Sequence, residues 1–339
     1  MIDKSILYIG NNLASKTKYI TTMETLSGLF IDEGVTLFKS SSKKNKVLRL
    51  LDMVISVFKY RNKVSYILID TYSTINFYYA FIISQLSRIL KINYIPILHG
   101  GDLPSRIDRS RKMADLIFNY SYKNIAPSGY LKYEFEKRGY KTNFIPNVLQ
   151  IKDYKFKQRK SLKPKLLFVR AFADIYNPKM AINVLYSLRK KYPEAKLCMI
   201  GPDRDGILKE IIKYIEEKDL LNSIEITGVL SKADWHKKSE EFDVFINTTN
   251  IDNTPVSVIE AMALGIPVVS TNVGGITYLI EDNKDCLLVD KNDAINMRKK
   301  IELLLRKEEV VEELTKNARN KVEQFDWIYV KKEWNKILV

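Results

Sequence analysis

The sequence predicts an α/β protein made of two doubly wound, parallel-sheet domains. Short apolar runs bounded by turn residues recur along the chain and read as buried parallel strands. Helix-length stretches fill the gaps between them, and such alternation argues a sheet covered on both faces. The chain has 339 residues, more than one hydrophobic core usually supports, so two domains are expected.

The first domain opens with a strand over residues 5–9, followed at its carboxyl end by Gly10-Asn11-Asn12. A helix over 21–30 and a strand over 35–38 come next. Residues 39–46 form a basic linker, and 46–63 read as an amphipathic helix with Val47, Leu50, Leu51, Val54, Val57 and Phe58 at helical spacing. Basic residues rim that helix, so its apolar side is expected to pack on the sheet while the rim can meet a membrane interface. A strand over 66–70, a helix over 77–90 and a strand over 94–98 follow. The last leads into His99-Gly100-Gly101-Asp102. Ligands of open α/β sheets bind beyond the carboxyl ends of strands, so Gly10, Asn11, Asn12, His99, Gly100 and Asp102 are candidate pocket residues. The glycines beside His99 allow close backbone approach. The other histidine, His236, follows Trp235 in a helix and reads as incidental.

Residues 151–165 are Lys-rich without apolar periodicity and are expected to be the interdomain linker. The expected division is 1–155 for the first domain, 156–325 for the second and 326–339 for a terminal helix rich in aromatic residues. Strands of the second domain are expected at 165–169, 197–200, 224–227, 243–247, 267–270 and 287–289, with helices over 178–191 and 292–306 among those between them. Arg170 ends the first of these strands, and Arg suits bidentate phosphate recognition. The loops at Gly201 and Val229 follow the next two and can either read a nucleotide base or serve as plain turns.

The most informative stretch runs from Asp252 to Gly275, DNTPVSVIEAMALGIPVVSTNVGG. A polar loop enters a helix at Pro255, and that helix ends at Gly265. A helix N-terminus presents unpaired N–H groups and the positive end of a dipole. A diphosphate can rest on the backbone of Thr254, Pro255, Val256 and Ser257, with Asp252 and Glu260 on either side. An ordinary strand–turn–helix with an acid ahead of the helix would look the same.

The formal charge is +15, and residues 1–150 carry 22 Lys and Arg against 11 Asp and Glu. A basic first half invites an anionic partner. With 46% hydrophobic and 28% charged residues the composition is that of a globular protein. The two cysteines, Cys198 and Cys286, form no CxxC pair, so a reducing, cytosolic compartment is expected. No signal peptide and no spanning helix are expected. The two histidines, His99 and His236, form no cluster with metal-ligand spacing, and no metal is expected.

Over these motifs the chain resembles the retaining glycosyltransferases of family 4, which have the GT-B fold. The hallmark Glu-x7-Glu followed by EAMA-G-PVV-GG is matched by EAMALGIPVVSTNVGG, with Asp252 where the first Glu usually stands. His99-Gly100 matches the family's His-Gly, and residues 126–128 and 145–147 match its APS…IPN pairing. The family's Gly-Arg and later Lys become VRAFADIYNPKM, which leaves Arg170 for the first role and Lys179 as the candidate for the second.

The resemblance implies two domains facing across a cleft, with a last helix crossing back to the first. It implies a nucleotide-sugar donor, a saccharide or polyprenyl-linked acceptor, and no cofactor or metal. Glu260 would bind ribose, Asp252 the sugar hydroxyls, and His99 would lie against the transferred sugar. Cell-surface glycan assembly at the inner face of the membrane is the expected setting. A nucleotide-sugar epimerase of related fold and a non-catalytic donor-binding scaffold are the alternatives. Charge alone would also fit a nucleic-acid binder, which the motifs disfavour.

Overall fold

The computed structural model describes residues 5–10 and 21–338. The chain divides into two compact units. One holds the residues up to Leu149 and those from Phe325 onward, and the other is Gln150–Gln324.

Among the described residues the first unit has strands β1 (Ser5–Ile9), β2 (Thr36–Ser40), β3 (Tyr66–Thr71), β4 (Asn93–Leu98), β5 (Asn124–Ala126) and β6 (Thr142–Phe144). They lie in the order β2-β1-β3-β4-β5-β6, parallel throughout. Its helices are α1 (Thr22–Asp32), α2 (Lys46–Tyr60), α3 (Asn76–Ile89), α4 (Leu103–Arg109), α5 (Arg111–Phe118) and α6 (Gly129–Lys137). The two-residue period of β1 feeds two cores: Ile6 and Tyr8 join one, Leu7 and Ile9 the other. The three-residue strands β5 and β6 are too short to announce themselves by periodicity.

The second unit has β7 (Lys165–Val169), β8 (Lys196–Ile200), β9 (Ile224–Gly228), β10 (Val244–Asn247), β11 (Val268–Thr271) and β12 (Leu287–Val289). Their order is β12-β11-β10-β7-β8-β9, again parallel. Its helices are α7 (Pro178–Arg189), α8 (Leu208–Glu217), α9 (Lys232–Ser239), α10 (Val256–Ala263), α11 (Ile276–Leu279), α12 (Ala294–Arg306) and α13 (Glu308–Glu323). In each sheet the winding direction reverses once, between β1 and β3 and between β7 and β10. Those two points are where an open parallel sheet leaves a crevice.

The last helix, α14 (Trp327–Ile337), belongs to the first unit. Trp327 and Trp334 meet Phe30 of α1 edge-on at 5.6 and 5.5 Å. The Trp327 indole N–H and Lys331 both reach Glu33, at 3.0 Å each. Val330, Trp334, Ile337 and Leu338 are buried, whereas Tyr329 faces solvent.

Two expectations require correction. Residues 151–165 are not a free linker but part of the second unit. Tyr154 is buried against His236, with ring centroids 4.8 Å apart. Arg159 is buried too, donating to the carbonyls of Lys157, Ser239, Phe242, Leu264 and Gly265. A guanidinium has five donors and no acceptor, so it can satisfy a ring of carbonyls that no apolar side chain could. The second correction concerns α2. Met53 and Val57 are its buried apolar residues, with Leu50 and Val54 partly covered, while Val47, Leu51 and Phe58 are exposed. Arg49 is buried on the same side as Met53 and Val57, its Nε donating to Lys43 O at 2.8 Å, and the Tyr79 hydroxyl of α3 donates to Lys46 O at 2.9 Å.

Replacing Arg159 by Met is expected to destabilise the second unit by about 2–4 kcal/mol, because it leaves buried carbonyls unpaired. A lower urea midpoint with unchanged slope would show it, and an unchanged midpoint would refute the assignment. Burial pushes the His236 imidazole down to about 4, and Lys232 adds to the effect. The unfolded chain takes up that proton near pH 6.5, so stability should fall as pH drops from about 6.5 to about 4. The loss is at most about 3 kcal/mol. His236→Gln should flatten that part of the stability–pH curve, and an unaltered slope would exclude His236 as its source.

Candidate functional site

The second unit gathers its chemistry at the β7/β10 reversal. Arg170 leaves the end of β7 and its backbone N–H donates to Ile200 O at 3.0 Å, holding it beside β8. Its Nε reaches Asn247 Oδ1, at the end of β10, over 3.4 Å, and its Nη2 pairs with the Asp252 carboxylate. Tyr176 lies beneath the guanidinium, 5.1 Å from the ring centre. Asn247 is itself fixed by its amide, which donates to Ser270 Oγ at 2.9 Å.

The loop after β10 is clamped from both sides. Thr248 donates to the carbonyls of Tyr176 and Asn177, and Thr271 to that of Thr249. Gly275 N–H donates to Asp252 O at 2.7 Å. A Cβ on Gly274 would lie 2.3 Å from Asp252 O, and one on Gly275 only 1.6 Å from Asn253 O. The Gly-Gly pair is therefore required for this loop to sit where it does. Gly201 has the same function beside Arg170, since a Cβ there would lie 2.0 Å from Arg170 O.

Burial raises the Asp252 carboxyl above its ordinary range, against the opposing pull of Arg170 and of hydrogen bonds from the Asn253 and Thr254 backbone. Pro255 stands at the N-cap of α10, which no side chain caps. Thr254 Oγ1 and Ser257 Oγ are buried on either side of Pro255 with no hydrogen-bond partner among the described residues. Buried hydroxyls are normally satisfied, so two orphans at one uncapped helix end mark a place for an acceptor-rich ligand. Further along α10, Glu260 is buried. Its Oε1 accepts from the Tyr154 hydroxyl at 2.8 Å and meets Lys232 Nζ at 3.1 Å. Burial first, and the Glu260 charge second, keep the Tyr154 phenol protonated well above its ordinary range.

In the first unit the polar cluster lies at the β1/β3 reversal. Asp70, near the end of β3, accepts from the Tyr8 hydroxyl at 2.9 Å. The same oxygen is 2.9 Å from His99 Nε2, and both residues are buried. A carboxylate only accepts, so Nε2 carries the proton and Nδ1 is the nitrogen left for another partner. Tyr72 stacks on the imidazole at 4.6 Å. A Cβ on Gly10 would lie 2.4 Å from Asp70 Oδ2, so this position needs a glycine.

The structure thus brings Arg170, Asp252, Thr254, Pro255, Ser257 and Glu260 into one loop–helix region, with Val256 exposed at its edge. Gly201 and Val229 lie on adjoining loops, where Gly201 N–H donates to Gly228 O at 2.9 Å. Lys179 takes a different place: its ammonium pairs with Glu210 of α8 on the exposed surface, which raises its pKa. Asp102 pairs with Arg109 at 3.1 Å, also on the surface, and Gly100 adopts a positive φ of 83°. Asn11 and Asn12 lie outside the described residues. Asp70, Tyr8, Tyr154 and Lys232 join these clusters without a motif that names them. Only Asp70 left a signal, as an acid ending an apolar strand.

Residues 150–321, just over half of the chain, match the family described as Glycosyl transferases group 1. An α-1,4-N-acetyl-D-galactosaminyltransferase from Campylobacter jejuni, named for a diNAcBac-PP-undecaprenol-linked saccharide, is 28% identical over 174 residues, 51% of this chain and 47% of that protein. The chain spans less than half the length of the first curated relatives it matches, at 44%, 28% and 47%. Among solved structures, HepE from Anabaena in complex with UDP and glucose superposes with a TM-score of 0.75 at 16% identity, covering 99% of both chains. Sucrose-phosphate synthase from Thermosynechococcus elongatus gives 0.78 at 17% identity, covering 98% of both. Likeness at these identities shows the α/β GT-B fold. Together with the matched residues, which include the whole loop and helix from Asp252 to Glu260, it means that this chain belongs to the glycosyl transferases group 1 family.

Proposed function

We propose that the protein is a retaining, metal-independent hexosyltransferase that moves a sugar from a nucleoside-diphosphate donor to a saccharide or polyprenyl-linked acceptor in cell-surface glycan synthesis. The observation that carries the reading is the uncapped N-terminus of α10, with its two unpartnered buried hydroxyls, beside Arg170. A departing diphosphate needs preorganised positive charge and N–H donors, and electrostatic stabilisation of this kind usually supplies the largest part of catalysis. Arg170, the α10 backbone, Thr254 and Ser257 provide it without a metal ion or cofactor.

Glu260 is assigned to the ribose. Its contacts with Tyr154 and Lys232 fall on Oε1, and Oε2 is assigned to a donor hydroxyl. Asp252 is assigned to the sugar, and Arg170 beside it to the incoming phosphate. His99, held by Asp70, serves the transferred sugar through Nδ1. Lys179 would have to leave Glu210 to reach a phosphate, so Lys232, already at Glu260, is the better-placed amine on the donor side. The UDP in the HepE complex and the polyprenyl-linked saccharide in the Campylobacter relative's name support a UDP-sugar and a lipid-linked acceptor as the first pair to test. Family membership favours transfer over the epimerase alternative.

Three variants test this reading. Ser257→Ala should leave the melting temperature unchanged, because its hydroxyl bonds nothing among the described residues, yet weaken nucleoside-diphosphate binding. Unchanged affinity would remove the hydroxyl from the diphosphate site. Arg170→Ala should lower turnover by about 10²–10³-fold; near-normal turnover would exclude it as the diphosphate clamp. Glu260→Gln should cost roughly 10–100-fold in donor affinity, as loss of a charged hydrogen bond does. A folded variant with parental affinity would end the ribose assignment.

A further inference from the structure

Helix α2 turns a row of large apolar side chains to solvent. Val47, Leu48, Leu51, Ile55 and Phe58 are between 46% and 68% exposed. At about 100° per residue these positions fall within one arc, while Met53 and Val57 occupy the opposite, buried arc. Single exposed apolar residues are ordinary on a protein surface, but a continuous stripe of five marks an interaction face.

The stripe is bounded by cations at both ends. Lys43, Lys44 and Lys46 stand exposed at the start of α2, and Lys59, Arg61 and Lys63 at its end. The one acid between residues 39 and 63 is Asp52, off the stripe and half-buried, which accepts from Ser40 Oγ at 3.3 Å. A surface cavity lined by Ile55, Phe58, Lys59, Arg61, Asn62 and Lys63 puts apolar and cationic groups on one wall.

We propose that this face docks on an anionic lipid bilayer. The helix lies in the plane of the interface, with its five apolar side chains in the acyl boundary and the flanking cations among the headgroup phosphates. Charge selects this occupant over a second copy of the chain. Pairing two such faces would bring both sets of cations together in a molecule already at +15. Docking is in-plane only, since no helix of the described residues is long and apolar enough to cross a membrane. The proposal stands apart from the transfer reading, though a polyprenyl-linked acceptor would reside in the same bilayer.

The test is flotation of the full chain with vesicles of equimolar phosphatidylcholine and phosphatidylglycerol, and with phosphatidylcholine alone. The chain should float with the anionic vesicles, be released by raised salt and stay behind with the neutral ones. Leu51→Ser with Ile55→Ser, and separately Lys59→Glu with Lys63→Glu, should each weaken binding at least about tenfold. All four positions are exposed, so melting temperature and nucleoside-diphosphate affinity should be retained. Absence of flotation with the anionic vesicles, equal flotation with neutral ones, or undiminished flotation of either double variant would overturn the proposal. So would a concentration-dependent dimer that Leu51→Ser with Ile55→Ser abolishes while flotation persists.

Discussion

Strands β7 and β10 are hydrogen-bonded neighbours that connect in opposite directions, and the rest of the candidate site depends on that adjacency. The chain leaves β7 at Arg170 and leaves β10 at Asn247, so a guanidinium and a polar loop emerge side by side. The resulting ion pair with Asp252 is largely shielded from solvent, with side-chain exposures of 14% and 12%. In such a place a charge interaction is far stronger than on an open surface, and an unpaired charge is correspondingly costly. The loop is thus held close beside the guanidinium.

Backbone packing makes this geometry attainable. Gly201, Gly274 and Gly275 each occupy a position where a Cβ would fall within 2.3 Å of a carbonyl oxygen of Arg170, Asp252 or Asn253. They let three loops approach more closely than side chains would allow. Thr248, Thr249 and Asn250 then tie the loop to residues 174–177, so that the N-terminus of α10 is presented by a rigid frame. The first unit uses the same principle more sparingly: Gly10 permits Asp70 to sit under β1, where it holds both Tyr8 and His99.

The alternation of apolar runs and helices made both sheets legible, because strands buried on both faces read as continuous apolar runs. The loop and helix from Asp252 to Glu260 were legible from their turn residues and helix start. What escaped was set by tertiary contacts. Tyr154 meets Glu260 across 106 positions of sequence, and nothing local marks either Tyr154 or Lys232 as its partner. Arg159 lies in a Lys-rich stretch that reads as solvated, yet it fills a ring of carbonyls. Periodicity assigns α2 a single apolar side, whereas the sheet takes Met53 and Val57 and leaves Val47, Leu51 and Phe58 outside. Arg49 shares the covered side and Tyr79 of α3 meets the Lys46 carbonyl, polar contacts that no hydrophobic pattern records.

On the proposed reading, the end of α10 and Arg170 form a receptor for a diphosphate. Calorimetric titration of nucleoside diphosphates, each against its own nucleoside, tests it most directly. The expected result is at least one diphosphate bound about 100-fold or more tighter than its nucleoside, a gap of roughly 2.7 kcal/mol by the usual affinity arithmetic, that largely closes in Arg170→Ala. Equal affinities throughout the series, or a gap that survives loss of Arg170 intact, would contradict it.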